Sequence, residues 1–164
     1  MEKSIKSELE SLFVTEKERA IRSQLEVDER HQREAAVLHR FNKLRDTTIK
    51  AAMLEVAEFI KRQGWQCEVK AGVGNSMGDA KISMIFYVRH GSQGHYETRT
   101  FYFSVRCDKG TDAAVFFVSP PGGHTANLQA DGSVKLGSLT KELVQSRIVD
   151  YVRKLMGETR SLAG

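Results

Sequence analysis

Histidine and cysteine, the side chains most often used for proton transfer, nucleophilic attack and transition-metal binding, are few and scattered in this sequence. They are His31, His39, His90, His95 and His124, together with Cys67 and Cys107. Metal sites need Cys, His or carboxylate ligands at short, characteristic spacings, which these residues lack. A G-x-S-x-G motif, which would present a serine nucleophile, is also missing. We expect surface positions for the histidines, core positions for the cysteines, and neither a metal site nor a catalytic residue.

The stretch GVGNSMGDAK, residues 72–81, has glycines like those of a phosphate-binding loop. A loop of that kind opens a helix, whose N-terminal amides bind the phosphate. Here the strand-like run ISMIFYV follows, and the GK[ST] ending is absent. We therefore interpret the stretch as a hairpin loop and expect no cofactor. An enzyme that uses the glycine-rich loops is the third hypothesis for function.

Length and charge distribution limit the classes of function. The chain has 164 residues, about the size of one domain, and 40% of them are hydrophobic. Its net charge of +4 is thinly spread: 13 basic against 12 acidic side chains in residues 1–63, 7 against 6 in 64–137, and 5 against 3 in 138–164. This distribution shows no like-charge block that would bind phosphate backbones. Without a secretory signal or an apolar run of roughly 18 residues, we expect a cytoplasmic protein with reduced thiols and no membrane partner.

A long helix is predicted at the N-terminus. Residues 4–63 contain neither Gly nor Pro and are rich in Glu, Arg, Lys, Leu and Ala, which favour helix. Gly64 stands where a helix-ending glycine is expected, after Lys61 and Arg62. The helix would be roughly 90 Å long if continuous. A break near Val27–Asp28 or Asp46–Thr48 is the alternative.

The two halves of this predicted helix differ in what they offer to a core. From Leu38 onward, apolar residues recur every three or four positions, as on a helix that packs against a sheet. They are Phe41, Leu44, Ile49, Ala52, Met53, Val56, Phe59 and Ile60. Residues 15–36 are charged at nearly every turn, and the pairs Glu18–Arg22, Glu26–Arg30 and Glu29–Arg33 supply only roughly 0.2–0.5 kcal/mol each.

Residues 1–36 are therefore predicted to form a protruding charged helical arm. An isolated helix is marginal in water, so we expect this arm to contact a second copy of the chain or another protein. The predicted contact residues are Ile5, Leu9, Leu12, Phe13, Ile21 and Leu25.

The middle of the chain predicts antiparallel strands. WQCEVKA, KISMIFYVR and ETRTFYFSVRC alternate between apolar and polar residues. AAVFFVS is apolar on both sides, which favours a more central or a more covered position. LQADGSVKL predicts a short hairpin with a type I′ turn at Asp131-Gly132. The last helix should begin at Ser138 or Thr140 and end at Gly157, which leaves 158–164 as a flexible tail.

These elements predict an α+β fold. It consists of a long N-terminal helix, an antiparallel meander sheet of about 4–6 strands and a C-terminal helix, in two layers with both helices on one sheet face. The α+β domain would comprise residues 37–157, between the arm and the tail.

The uncovered sheet face would display Tyr87, Arg89, Tyr102 and Arg106. Three interpretations stay open: an ordinary surface with cross-strand pairs, a protein contact, and a platform on which single-stranded nucleic acid stacks. The leading hypothesis is a non-enzymatic protein-interaction or adaptor module that self-associates or binds a partner through its N-terminal helix. The alternative is single-stranded nucleic-acid binding on the open sheet face.

Overall fold

Helical residues run from Lys3 to Arg62, as predicted. The computed structural model describes residues 2–73, 80–120 and 128–163. Helix α1 spans Lys3–Leu44, a π-helical turn spans Arg45–Ile49, and helix α2 spans Lys50–Arg62. Internal contacts divide the chain into two compact units, Met1–Ala36, which we call the arm, and Val37–Gly164.

The π-helical turn falls at the second of the two predicted break points. The Thr47 hydroxyl donates to the carbonyl oxygen of Lys43 at 2.7 Å, a bond in which a side chain competes for helix carbonyls. The hydrogen-bond pattern changes here without the chain leaving the helix. Val27 and Asp28, the other predicted break point, lie inside α1.

Gly64 ends α2 in the conformation that the sequence predicted. Its φ is +94°, and its N–H donates to the Lys61 carbonyl at 3.0 Å while the Trp65 N–H donates to the Ile60 carbonyl at 3.3 Å. These two bonds define a Schellman motif, in which Ile60 and Trp65 commonly pack together. The motif turns the chain from the helix into the first strand.

Five antiparallel strands form a meander sheet in the order β1-β2-β3-β4-β5. They are β1 (Gln66–Val73), β2 (Ala80–Ser92), β3 (His95–Asp108), β4 (Ala113–Val118) and β5 (Gln129–Lys135). A 3-10 turn (Leu136–Ser138) leads to helix α3 (Lys141–Ala163), whose N-cap is Thr140, since its hydroxyl accepts the Leu143 N–H at 3.2 Å. The predicted α+β fold is confirmed.

The core lies between one face of the sheet and the helices. Phe86, Phe103 and Phe116 from the strands are fully buried with Met53 of α2 and Ile148 of α3. The Tyr151 ring meets Phe86 edge-on at 5.9 Å and Phe103 at 6.2 Å between centroids. The Arg40–Asp112 ion pair ties the end of α1 to the turn between β3 and β4.

The predicted hairpin at Asp131-Gly132 is wrong, because both residues lie within the single strand β5. Phe117 pairs with Ala130 and Val115 with Ser133, so Asp131 and Gly132 together face one residue of β4. This is a β-bulge, and Gly132 has φ +98°, a conformation that glycine adopts in some bulges as well as in type I′ turns. The guanidinium of Arg147 fixes the bulge by donating to the Asp131 carbonyl at 3.2 Å.

Two helical predictions are also wrong. The last helix continues through Gly157 to Ala163, since one glycine inside a helix costs only about 1 kcal/mol; flexibility of the tail stays a prediction. Phe59, predicted in the core, is 62% exposed. Met53, Ala57 and Ile60 occupy the buried phase of α2, and Phe59 lies about 100° from Ile60 around the helix.

We predict that Gly64→Ala lowers the free energy of unfolding by about 1–2 kcal/mol, because an L-residue is strained at φ +94°. A Cβ there would meet no heavy atom within 4 Å, so the loss comes from backbone conformation alone. Urea denaturation at constant m-value measures it. Gly137→Ala is the matched control, since that Cβ is equally free and φ is not left-handed. Equal losses in both variants would contradict the assignment.

Candidate functional site

The arm exposes large apolar side chains to solvent. Each residue from Glu2 to Glu26 is exposed, and only Val27 and Glu34 are half-buried within residues 2–36. The six predicted contact residues, together with Val14, which the sequence reasoning missed, are 40–67% exposed. A soluble surface normally scatters single apolar residues, whereas here seven lie within six turns of one helix.

These side chains form two groups on opposite sides of the helix. At about 100° per residue, Ile5, Leu9, Leu12 and Phe13 lie within an arc of roughly 100°, which we call the tip face. Val14, Ile21 and Leu25 lie within roughly 40° on the other side, which we call the back face. The structure therefore does not bring the six predicted residues together into one surface.

Polar pairs on the arm are short-range and exposed. Glu16 and Arg19 pair at 3.0 Å, Lys6 and Glu10 at 3.9 Å, and Gln24 donates to Asp28 at 2.9 Å. Between residues 2 and 36, the predicted pairs Glu18–Arg22, Glu26–Arg30 and Glu29–Arg33 are not within ion-pair distance. Exposed pairs contribute little to stability. The Glu16–Arg19 pair follows Phe13 along the same side of the helix and ends the tip face.

The open sheet face carries all four of its predicted residues. Tyr102 lies opposite Ile85 and Thr100 opposite Tyr87, which makes Tyr87 and Tyr102 diagonal neighbours. Arg89 lies opposite Thr98, and Arg106 lies opposite Lys81. Since positions 81 and 89 are about 27 Å apart along β2 at ~3.4 Å per residue, the structure unites the tyrosines and separates the arginines.

Each arginine of this face lies over an aromatic ring. The Arg89 guanidinium is 4.1 Å from the ring centre of Tyr96, and the Arg106 guanidinium is 4.5 Å from that of Phe117. Sequence reasoning missed both rings. The alternation along β3 places Tyr96 in phase with Tyr102 and was the available signal. Because β4 is apolar on both faces, its sequence did not indicate that Phe117 lies on the open sheet face.

The electrostatics of the open sheet face are uneven. Lys81 and Arg106, two like charges, are directly opposite each other, an unfavourable cross-strand pair. The Arg106 Nε is buried and has no hydrogen-bond partner. At the other end, the Tyr87 hydroxyl donates to Glu68 at 3.0 Å, which raises the pKa of Tyr87 because the carboxylate stabilises the neutral phenol.

A further exposed apolar surface lies between the two helices that cover the sheet. A groove of about 310 Å³ runs between α2 and α3, and Gln63, Trp65 and Arg153 contribute to it. We call this groove the helix groove. Its other lining residues are Val56, Phe59, Ile60, Val149, Val152 and Met156. Phe59, Val149 and Met156 are about half exposed or more. Sequence reasoning missed this groove because it assigned Phe59 to the core.

The side chains with reactive chemistry do not assemble into a site in the described ranges. Residues 2–73, 80–120 and 128–163 contain no group of three His, Cys, Asp or Glu that could hold a metal ion. Cys67 and Cys107 are buried, as predicted. Burial raises the pKa of the Cys67 thiol, which donates to the Ala57 carbonyl at 3.5 Å. His31, His39 and His95 are exposed; His124, the side chain of His90 and most of the 72–81 loop lie outside the described residues.

Within the described residues, the helices are all too short or too polar to cross a bilayer. No family model, no curated protein and no solved structure matches this chain.

Proposed function

We propose that the chain is a non-enzymatic protein-interaction module that joins copies of itself through the arm. The observation that carries this proposal is the exposure of seven large apolar side chains on one charged helix. Exposed apolar groups clustered in this way mark interaction surfaces. An adaptor role, in which the arm binds a different protein, would use the same side chains.

One tip face alone does not supply enough apolar surface for a stable complex. Full burial of a Leu, Ile or Phe side chain stabilises by about 1.5–3 kcal/mol, so covering the exposed part of the tip face contributes about 3–7 kcal/mol. Association loses about 4–15 kcal/mol of translational and rotational freedom. A stable complex therefore needs two tip faces, or one tip face and additional apolar surface on the partner.

A long two-stranded coiled coil does not fit the arm. Its seam would continue from the tip face through Glu16 and Arg19, which instead pair with each other at 3.0 Å, and Asp28 interrupts it further along. The back face lies on the opposite side of the helix from the tip face. A short contact, in which a few helical side chains enter an apolar surface, suits this distribution better.

We expect the double variant Leu9→Glu/Leu12→Glu to weaken self-association by at least about 100-fold, since two apolar anchors are replaced by charges that must be desolvated. Sedimentation velocity over a concentration series measures the dissociation constant. Ser7→Glu/Ser11→Glu is the matched control, because it adds the same charge to the side of the helix away from the tip face. A full-length protein that is monomeric throughout, or equal loss in the control, would contradict the proposal.

We expect residues 37–164 to fold without the arm and to be monomeric. Residues 2–36 have no buried side chain, and the hydrophobic core begins at Val37. The thermal midpoint of the truncated chain should match that of the full chain at a concentration where the latter is dissociated, because association itself raises apparent stability. Circular dichroism and light scattering measure these properties. Retention of the full-length oligomeric state after truncation would remove the arm from the contact.

The open sheet face supports a second candidate function, the binding of single-stranded nucleic acid. The supporting observation is the unfavourable Lys81–Arg106 pair, because a phosphate between the two cations would offset their repulsion. Tyr87, Tyr102 and Tyr96 offer rings for base stacking. The spacing of about 27 Å between the arginines along β2 suits an extended strand of several nucleotides.

For this second function, we expect a fluorescently labelled oligothymidylate to bind with an affinity that falls steeply with salt. Arg106→Ala should reduce the salt slope by about 1, and Tyr102→Ala should weaken binding at all salt concentrations. Arg62→Ala is the control, since it removes the same charge from the end of α2. Fluorescence anisotropy reports all three. Absent or salt-insensitive binding, or an equal effect of Arg62→Ala, would exclude this function.

A further inference from the structure

We infer that the tip face of one copy docks in the helix groove of a second copy; this rests on the proposed function and names the surface that receives the arm. The helix groove is a second exposed apolar surface among the described residues, and it lies on the domain rather than on the arm. Phe59, Val149 and Met156 are 47–62% exposed along it. A second copy supplies an apolar helix of the chemistry that would cover these residues.

The helix groove is a formed feature of the domain. Glu55 of α2 accepts hydrogen bonds from Lys141 and from Gln145 of α3, which fixes the two helices side by side before the groove begins. Further along both helices, Val56 to Gln63 and Val149 to Met156 line the groove. The two helices therefore run in the same direction. Trp65, positioned by the Schellman motif that ends α2, also lines it.

The spacing of the tip face matches a helix that lies in a groove. Ile5, Leu9, Leu12 and Phe13 stand at positions i, i+4, i+7 and i+8, the usual anchors of this binding mode. Ile5 to Phe13 extends over about 12 Å at 1.5 Å per residue, and Val149 to Met156 extends over about 10 Å. The two surfaces are thus of similar length.

The charges beside the two surfaces are complementary. Residues 2–16 contain four acidic and two basic side chains, Glu2, Glu8, Glu10 and Glu16 against Lys3 and Lys6. Residues 58–63 and 149–156, which flank the groove, contain four basic and two acidic side chains, Lys61, Arg62, Arg153 and Lys154 against Glu58 and Asp150. A net charge of −2 would meet one of +2. Charge pairing of this kind sets orientation and partner choice.

Reciprocal docking covers four apolar surfaces at once. Each of two copies would contribute one tip face and one helix groove, so the contact contains two independent and identical pairs. Direct pairing of two tip faces would leave both grooves exposed. The reciprocal arrangement also supplies the additional apolar surface that one tip face lacks.

A complementation experiment with two full-length variants tests the inference. Leu12→Glu damages the tip face, and Val149→Glu damages the helix groove at a residue that is 48% exposed. Each variant alone should associate at least about tenfold more weakly than the unchanged chain. An equimolar mixture should form a heterodimer, because the Val149→Glu copy keeps an intact tip face and the Leu12→Glu copy keeps an intact groove. Distinct tags and sedimentation velocity identify the heterodimer.

The controls separate the outcomes. Leu54→Glu, on α2 but outside the groove and 44% exposed, should associate normally. If circular dichroism shows that the Val149→Glu variant is unfolded, Phe59→Glu takes its place as the groove variant. If the groove variants associate like the unchanged chain while Leu12→Glu does not, the inference is overturned and the proposed self-association survives. If Leu12→Glu and the tip-face double variant both associate normally, the proposed function falls. Loss in both single variants without recovery on mixing also overturns the inference.

Discussion

Burial of one helical face against one sheet face is the constraint on which the rest of this structure depends. Phe41 and Met53 are both fully buried against the sheet, yet residues twelve apart on an uninterrupted α-helix lie about 120° from each other. The π-helical turn at Arg45–Ile49 inserts an extra residue and removes about 100° of this difference. The helix can therefore keep its apolar stripe on the sheet over its whole buried length. The stripe begins at Val37, and everything before it on the chain is free of that constraint.

The fold was predictable because, along most of the chain, the spacing of apolar residues and the positions of turn-forming residues indicated the same elements. Apolar residues alternate along β2 and β3 and marked the core face, although Ile85 and Ser104 on the other face are also buried. Gly64 marked the end of the helix. The position of the π-helical turn was indicated by Asp46, Thr47 and Thr48, because side chains of these types compete for backbone hydrogen bonds. A local sequence pattern predicts structure reliably when it is compatible with one type of element only.

The wrong predictions concern sequence patterns that are compatible with two different structures. Asp131-Gly132 supplies a positive φ, which serves a bulge as well as a turn, and the choice between them depends on the register with β4 and on Arg147. Phe59 follows an apolar spacing, but the sheet reaches only one side of α2, so its neighbours Ala57 and Ile60 took the buried positions. The sequence prediction treated the apolar residues of the arm as one contact surface, because it did not consider on which side of the helix each residue lies. The candidate surfaces were therefore less predictable than the fold: their residues were named, but their grouping depends on phase, register and packing.

The distribution of charge between the two units favours contacts between unlike surfaces. The arm contains nine acidic and seven basic side chains, and the remaining residues contain 12 acidic and 18 basic ones. Two arms therefore repel each other weakly and two domains repel each other more strongly, whereas an arm and a domain from different copies attract. Salt screens charges more than about 8 Å apart under physiological conditions. In the proposed contact, this attraction would therefore guide the approach of the two copies, and affinity would come from apolar burial. An arm that meets a domain satisfies both requirements, since the exposed leucines of the arm and the exposed phenylalanine, valine and methionine of the helix groove belong to units of opposite net charge.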